Sequence, residues 1–408
     1  KFKNTDIAVY PGIDKKIRFV DRNKKNETFS SIIDCSGKLV TRSFGIGHHH
    51  VYSALAKGMP APEKTPANFR EILKYIWWTL DKSLDKDMIE ASALATAIAC
   101  AKAGSTFVID HHASPNCIKG SLEIIAKAFE RVGVNHLLAY EITDRDGEEK
   151  TEKGIQENGN YLENHQGLVG LHASFTVSNE TMKKAAGIAE KYNSGFHIHV
   201  AEDLYDQEHC NEKYGKWVVE RLADFSPFYS SKTILVHGLH LDDHERQLIK
   251  NSPCWVAENK ESNLNNNVGH FNGEGLGEHI MLGTDGMHSN MLQSAKAAFF
   301  AGLENDIINF ESAYRRFRGI HHYLKTNDFK GDSENNLVIL DYDYPTELNQ
   351  QNFTGHFLFG IGSEHIQHVI SNGCLIVKNR KIQTVDENEI LNFTREQSKR
   401  LWKQMKSV

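Results

Sequence analysis

Between residues 44 and 283 the chain repeats one pattern: a short apolar run, a polar residue at its end, then a helical stretch. The runs are the segment before His48, then 106–109, 136–140, 168–171, 196–200, 233–236, 254–256 and 280–283. Most are continuously apolar, as strands covered on both faces must be. Between them, apolar residues recur at helical spacing. Met88, Ala91, Ala95, Ile98 and Ala99 do so over 88–103, and Gly104 stops that helix. Eight such units predict an α/β fold, a (β/α)8 TIM-type barrel over 44–330.

The two chain ends have a different texture. Residues 6–10, 16–20 and 31–34 read as short strands, with turn signals at Pro11-Gly12 and Ser36-Gly37. The run 38–44 reads as a strand leading into the barrel. Beyond 330 come 336–340, 369–371 and 375–377, the last two joined by the hairpin signal Asn372-Gly373. Residues 1–43 plus 331–408 are therefore expected to form one small flanking β-sandwich domain. The tail 394–406 reads as a short basic helix.

A formal net charge of −6 argues against a nucleic-acid or anionic-membrane partner. No apolar run reaches the roughly 18 residues of a membrane helix. The six cysteines are scattered without a CxxC pair, so neither a disulfide framework nor a thiolate zinc site is expected. Reduced thiols suit a cytoplasmic protein. No signal peptide is legible, although the chain begins at Lys1 rather than Met. A metal site here must use imidazoles and carboxylates.

Barrel active sites lie at the C-terminal strand ends. Polar residues stand at nearly all of them: His48 and His50, Asp110 to His112, Glu141 and Asp144, His172, His199 and Glu202, His237, and Asp285. On a strand, His48 and His50 share a face and can grip one ion, while His49 points away. A lone histidine among 22 is more often a core or surface group. In a barrel, however, these positions converge, and a purely structural account must explain each separately.

Four segments in order, Gly47 to Ser53, His197 to Glu202, Val236 to Leu241 and Leu282 to Gly286, resemble the signatures of the amidohydrolase superfamily. The branch most similar holds cytosine and guanine deaminases and triazine chlorohydrolases. Asp110 to Pro115 and Ser262 to Asn267 are similar to the aminohydrolase associated with selenium metabolism. The resemblance implies His48, His50, His199 and Asp285 as ligands of one divalent ion, zinc first and iron second. It places His197 behind the ligands. Family members with two ions carry a lysine on strand four, and 168–172 has none.

The implied activity is that of a hydrolase acting on carbon–nitrogen bonds, an aminohydrolase that deaminates a purine-, pterin- or pyrimidine-like heterocycle and releases ammonia. A divalent ion lowers the pKa of its water to roughly 7 and so supplies hydroxide. Asp285 takes the water proton, His237 orients the nucleophile, and Glu202 protonates the ring nitrogen. His172, His112, Tyr52 and His288 are expected to touch the substrate. Trp77 and Trp78 read first as helix core and second as pocket wall. Asp110 to His112, Glu141, Asp144 and Arg145 promise either a polar pocket or a salt-bridge cluster. Where the family reads Pro-Gly-Phe before its first histidines, this chain has Arg42 to Gly47, a change expected at the turn into the barrel. The partner is a small molecule, and the family admits a homodimer. The alternatives are a cyclic amidase, a chlorohydrolase, or a non-catalytic metal-binding protein of a selenium or molybdenum pathway.

Overall fold

The computed structural model describes residues 2–20 and 28–407. Eight parallel strands form the barrel: Phe44–His49, Ser105–His112, Asn135–Tyr140, Val169–Ala173, Phe196–Val200, Ile234–His237, Trp255–Glu258 and Ile280–Leu282. The first three pair in order, and so do the last five. The bridges Leu138–Gly167 and Ile142–Leu171 join strand three to strand four. The bridge His49–Asp285 joins strand eight to strand one and closes the barrel. Helices between the strands cover the outside, which is why the strand residues are buried on both faces.

Inside the barrel, Phe107, Ile109, Leu137, Ala139, Ile234, Val236, Trp255 and Met281 pack as one cluster. Outside the barrel wall, Arg316 of the helix Phe310–Thr326 and Glu258 form a buried ion pair at 2.9 Å. The packed interior leaves only the C-terminal end of the strands open to ligands.

The entry to the barrel differs from the sequence expectation. The run 38–44 is not one strand. Leu39–Arg42 pairs antiparallel with Leu337–Leu340 in the small domain, and a new strand starts at Phe44. Gly45 to Gly47 therefore lie inside barrel strand one rather than in a turn. A Cβ on Gly47 would stand 2.8 Å from the Leu282 carbonyl oxygen. The close approach of strands one and eight needs that glycine.

The small domain has a five-stranded sheet of Leu39–Arg42, Leu337–Leu340, Ile366–Ser371, Cys374–Lys378 and Lys381–Ile382. The hairpin turn at Asn372-Gly373 forms as expected, with both φ angles positive, 48° and 75°. A second sheet of Asp6–Ala8 and Arg18–Val20 faces it across Leu337, Ile339, Ile370, Ile7, Val9 and Ile17. Residues 31–34 form no strand, and Ile32 is exposed. The terminal helix is longer than expected, Glu387–Gln404, capped by Asp386. It packs on the barrel helix Lys86–Lys102, and Trp402 Nε1 donates to the Leu55 carbonyl at 2.8 Å. In space this part of segment 331–408 sits with the barrel.

Replacing Gly47 with alanine is expected to cost about 1–3 kcal/mol in urea unfolding, because strand one must move off strand eight. Gly187, exposed in the helix Asn179–Lys191 with open space at its Cβ position, should respond in the opposite sense. Gly187→Ala is expected to stabilise by about 0.5–1 kcal/mol.

Candidate active site

His48, His50, His199, His237 and Asp285 meet at the C-terminal mouth of the barrel, and all are buried. The backbone there is turned out of regular strand geometry. Ala201, His237 and Asp285 have φ values of 45°, 73° and 50°. Left-handed conformations of non-glycine residues cost free energy and persist where surrounding structure enforces them. Here they aim Glu202, His237 and Asp285 into one cavity.

Each imidazole is oriented from behind. The Nδ1–H of His50 donates to the His111 carbonyl at 2.6 Å, and that of His199 to the His172 carbonyl at 2.8 Å. His237 Nδ1–H donates to Asn263 Oδ1 at 2.7 Å. These bonds fix the tautomer and leave each Nε2 lone pair facing inward. His48 Nδ1 meets His197 Nε2 at 2.9 Å, so His197 stands behind His48. His49 points away, toward Asp110.

The inward nitrogens crowd together. His50 Nε2 lies 3.2 Å from His199 Nε2 and 3.1 Å from Asp285 Oδ1. His48 Nε2 lies 3.4 Å from the same oxygen. Nε2 of His48 and of His237 is buried without a hydrogen-bond partner. Burial, then the neighbouring imidazoles, holds His199 well below the usual histidine range, so it keeps its lone pair. Burial opposes the charge on Asp285, but the adjacent His48 and His50 rings outweigh it and hold the carboxyl well below its usual range. Several imidazoles and one carboxylate converging on one point are a donor set suited to a divalent transition metal. Among the described residues, His48, His50 and Asp285 form one ligand-spaced group. His48, His199 and His237 form another, and Glu202, His237 and Asp285 a third.

Glu202 Oε2 stands 3.5 Å from His237 Nε2. Burial, then the charge of Asp285, raises the Glu202 carboxyl well above its usual range, toward its protonated form. Ser262 Oγ donates to Asp285 and Asn263 holds His237. Sequence reasoning noted that pair only as a motif, because a residue supporting another has no spacing signature of its own.

The cavity wall is formed by Tyr52, Trp77, Trp78, His172, Asp81, Glu141 and Arg145 among others. Tyr52 and His172 are where the sequence expectation put them, and the indoles of Trp77 and Trp78 reach the cavity while also packing on the core. Two expectations are corrected. His112 does not line the cavity; it is fully buried beside Tyr52 and Tyr140 and bonded to Ser114 Oγ at 3.0 Å. Strand two runs on through His112, which turns its side chain from the mouth to the helix layer. His288 is likewise absent from the wall, because Glu261 holds its Nε2 at 2.8 Å. Asp144 caps the helix Asn179–Lys191 region through Ser178 and Thr181. Asp110 binds the Val51 amide at 2.7 Å. Asp81 was not anticipated; it pairs with Arg145, whose guanidinium lies 5.0 Å over the Trp78 ring.

Residues 47–314 match the amidohydrolase family. The 5'-deoxyadenosine deaminase of Methanococcus maripaludis (strain C7) is 26% identical over 419 residues, 97% of this chain and 96% of that protein. The 5-methylthioadenosine/S-adenosylhomocysteine deaminase of Aquifex aeolicus is 26% identical over 428 residues, covering 99% and 95%. Among solved structures, the zinc complex of atrazine chlorohydrolase TrzN from Arthrobacter aurescens TC1 superposes with a TM-score of 0.81 at 17% identity, covering 97% and 96%. A zinc-bound adenosine deaminase from Xanthomonas campestris gives 0.77 at 15% identity, covering 90% and 86%. These likenesses establish the barrel with its flanking β domain.

Burial pushes His112 down to about 4. Below pH 6.5 the unfolded chain takes up a proton that folded His112 refuses, so stability falls as pH drops from about 6.5 toward 4. His112→Asn should flatten that acid slope by up to about 1.4 kcal/mol per pH unit in denaturant unfolding and leave KM unchanged.

Proposed function

The chain belongs to the amidohydrolase family, and on that premise we propose that it is a metal-dependent aminohydrolase that removes an amino group from a nitrogen heterocycle as ammonia. The observation that carries this reading is the placement of the Glu202 carboxyl, 3.5 Å from His237 and grouped with Asp285, because a site that only stored metal would need ligands but no proton shuttle. We assign His48, His50, His199 and Asp285 to one ion, zinc before iron. That ion, when bound, supplies a hydroxide nucleophile near neutral pH.

The chain's own groups do the rest. His237 Nε2, fixed by Asn263, orients the nucleophile at the ring carbon bearing the amino group. Asp285 holds the proton taken from water. Glu202 gives its proton to the adjacent ring nitrogen, so no anion accumulates on the ring in a poorly hydrated cavity. The carbon–nitrogen bond then breaks as the proton on Asp285 passes to the leaving amino group, which departs as ammonia. Glu202 recovers a proton from the new hydroxyl as the carbonyl forms. Tyr52, Trp77 and Trp78 offer aromatic faces to a planar ring. The relatives named for adenosine derivatives put adenine nucleosides on the first assay panel, beside aminopterins and aminopyrimidines.

The test is ammonia release by zinc- and iron-loaded protein. Glu202→Gln should lower kcat by about 10²–10⁴-fold and leave metal content unchanged. His199→Ala should lose both metal and turnover. Loss of metal in Glu202→Gln would make Glu202 a ligand and overturn its role. Turnover without ammonia would redirect the reading to a cyclic amidase or a chlorohydrolase.

A further inference from the structure

One buried carboxylate in the cavity takes no part in this scheme. Glu141 follows barrel strand three and is 4% exposed. Its neighbours stand off, His111 Nδ1 at 3.4 Å and Arg145 Nη1 at 3.7 Å. A charge-assisted hydrogen bond is about 2.7–2.9 Å long. Arg145 is instead drawn to Asp81 and to Asp146, the latter at 3.0 Å, and its guanidinium is seated over Trp78. Asp81 lines the same wall, is 2% exposed, and leaves Oδ1 without a partner. Buried polar groups are nearly always hydrogen-bonded, so a wall with spare acceptors calls for a donor.

Position narrows what that donor is. A carboxylate oxygen of Glu141 and ring nitrogens of His172 and His199 lie within 4.8 Å of one another. The three groups therefore face one point of the cavity wall. Glu141 thus stands beside His199, which we assign to the metal, and within reach of a heterocycle bound next to that ring. An adenine ring presents only lone pairs along its edges apart from the amino group that would be lost, whereas a guanine-type ring adds an N–H₂ donor.

We infer that Glu141 is a specificity-determining acceptor for a ring N–H or second amino group, so that the substrate carries a guanidine-type edge in addition to the amino group removed. This rests on the deaminase reading above, but binding can be measured apart from turnover. The probes are adenosine and 2,6-diaminopurine riboside, which differ by one amino donor. Affinity and ammonia release are measured on zinc-loaded wild type, Glu141→Gln and Glu141→Asp, with metal content and melting temperature checked for each.

Wild type should favour the diamino compound by about 10- to 100-fold, the worth of one hydrogen bond to a charged group. Glu141→Gln should erase most of that preference, chiefly through KM. Glu141→Asp, which keeps the charge, should retain its direction, and stands in if the glutamine variant does not fold. A donor preference in binding without ammonia would uphold the acceptor and sink the deaminase reading. Ammonia from both compounds with no preference, equal losses on both in Glu141→Gln, or binding of neither would overturn the inference.

Discussion

The site depends on a desolvated knot of imidazole lone pairs around one carboxylate. His48, His50, His199 and His237 turn ring nitrogens toward the region of Asp285, and those of His48 and His237 have no hydrogen-bond partner within the protein. Left alone, such a cluster is costly. The protein tolerates it because each ring is pinned from outside the knot. The pins are the carbonyls of His111 and His172, the Asn263 amide, and the His197 ring. Two of those carbonyls belong to the barrel backbone, so ligand orientation follows from barrel closure. The bridge between His49 and Asp285 makes the same point, since the closing contact of the sheet sets Asp285 beside the strand end that carries His48 and His50.

Closure in turn rests on small residues where strands one and eight meet. Gly47 lies against the Leu282 carbonyl, and Gly283 sits against His48. A larger residue at either place would part the strands that carry His48 and Asp285. The departure from Pro-Gly-Phe seen in the sequence is thus a change inside a barrel strand, while the small domain takes Leu39–Arg42 as an edge of its sheet.

Much of this was legible because it is periodic or local. Apolar runs alternating with helices gave the barrel, and His48, His50, His199, Glu202, His237 and Asp285 stand at strand ends where period and family motif agree. What was hidden lies across long sequence separations. Asp81 comes from the helix Trp78–Lys82 and meets Arg145 by tertiary packing alone, and nothing near it in sequence marks it. His112 and His288 misled for the opposite reason. Each is next to chemistry in the chain, but strand continuation turns one away and Glu261 captures the other. Residues 31–34 look like a strand by composition but pair with no strand among the described residues.

The carboxyls of the cavity divide by environment. Near Asp285, a second ionised carboxylate would face like charge in a desolvated space, which pushes the Glu202 carboxyl well above its usual range, toward the protonated form. Burial works against charge on Glu141 too, yet His172, His111 and Arg145 surround it and hold it well below the usual range, as an anion. The two walls therefore present opposite hydrogen-bonding faces: a donor at Glu202 and an acceptor at Glu141. A ring held between them must offer a lone pair to one and an N–H to the other, a polarity that fixes its orientation before any bond is broken. On this view the barrel supplies the reacting groups from strands five, six and eight, and strand three decides which way round a heterocycle can lie among them.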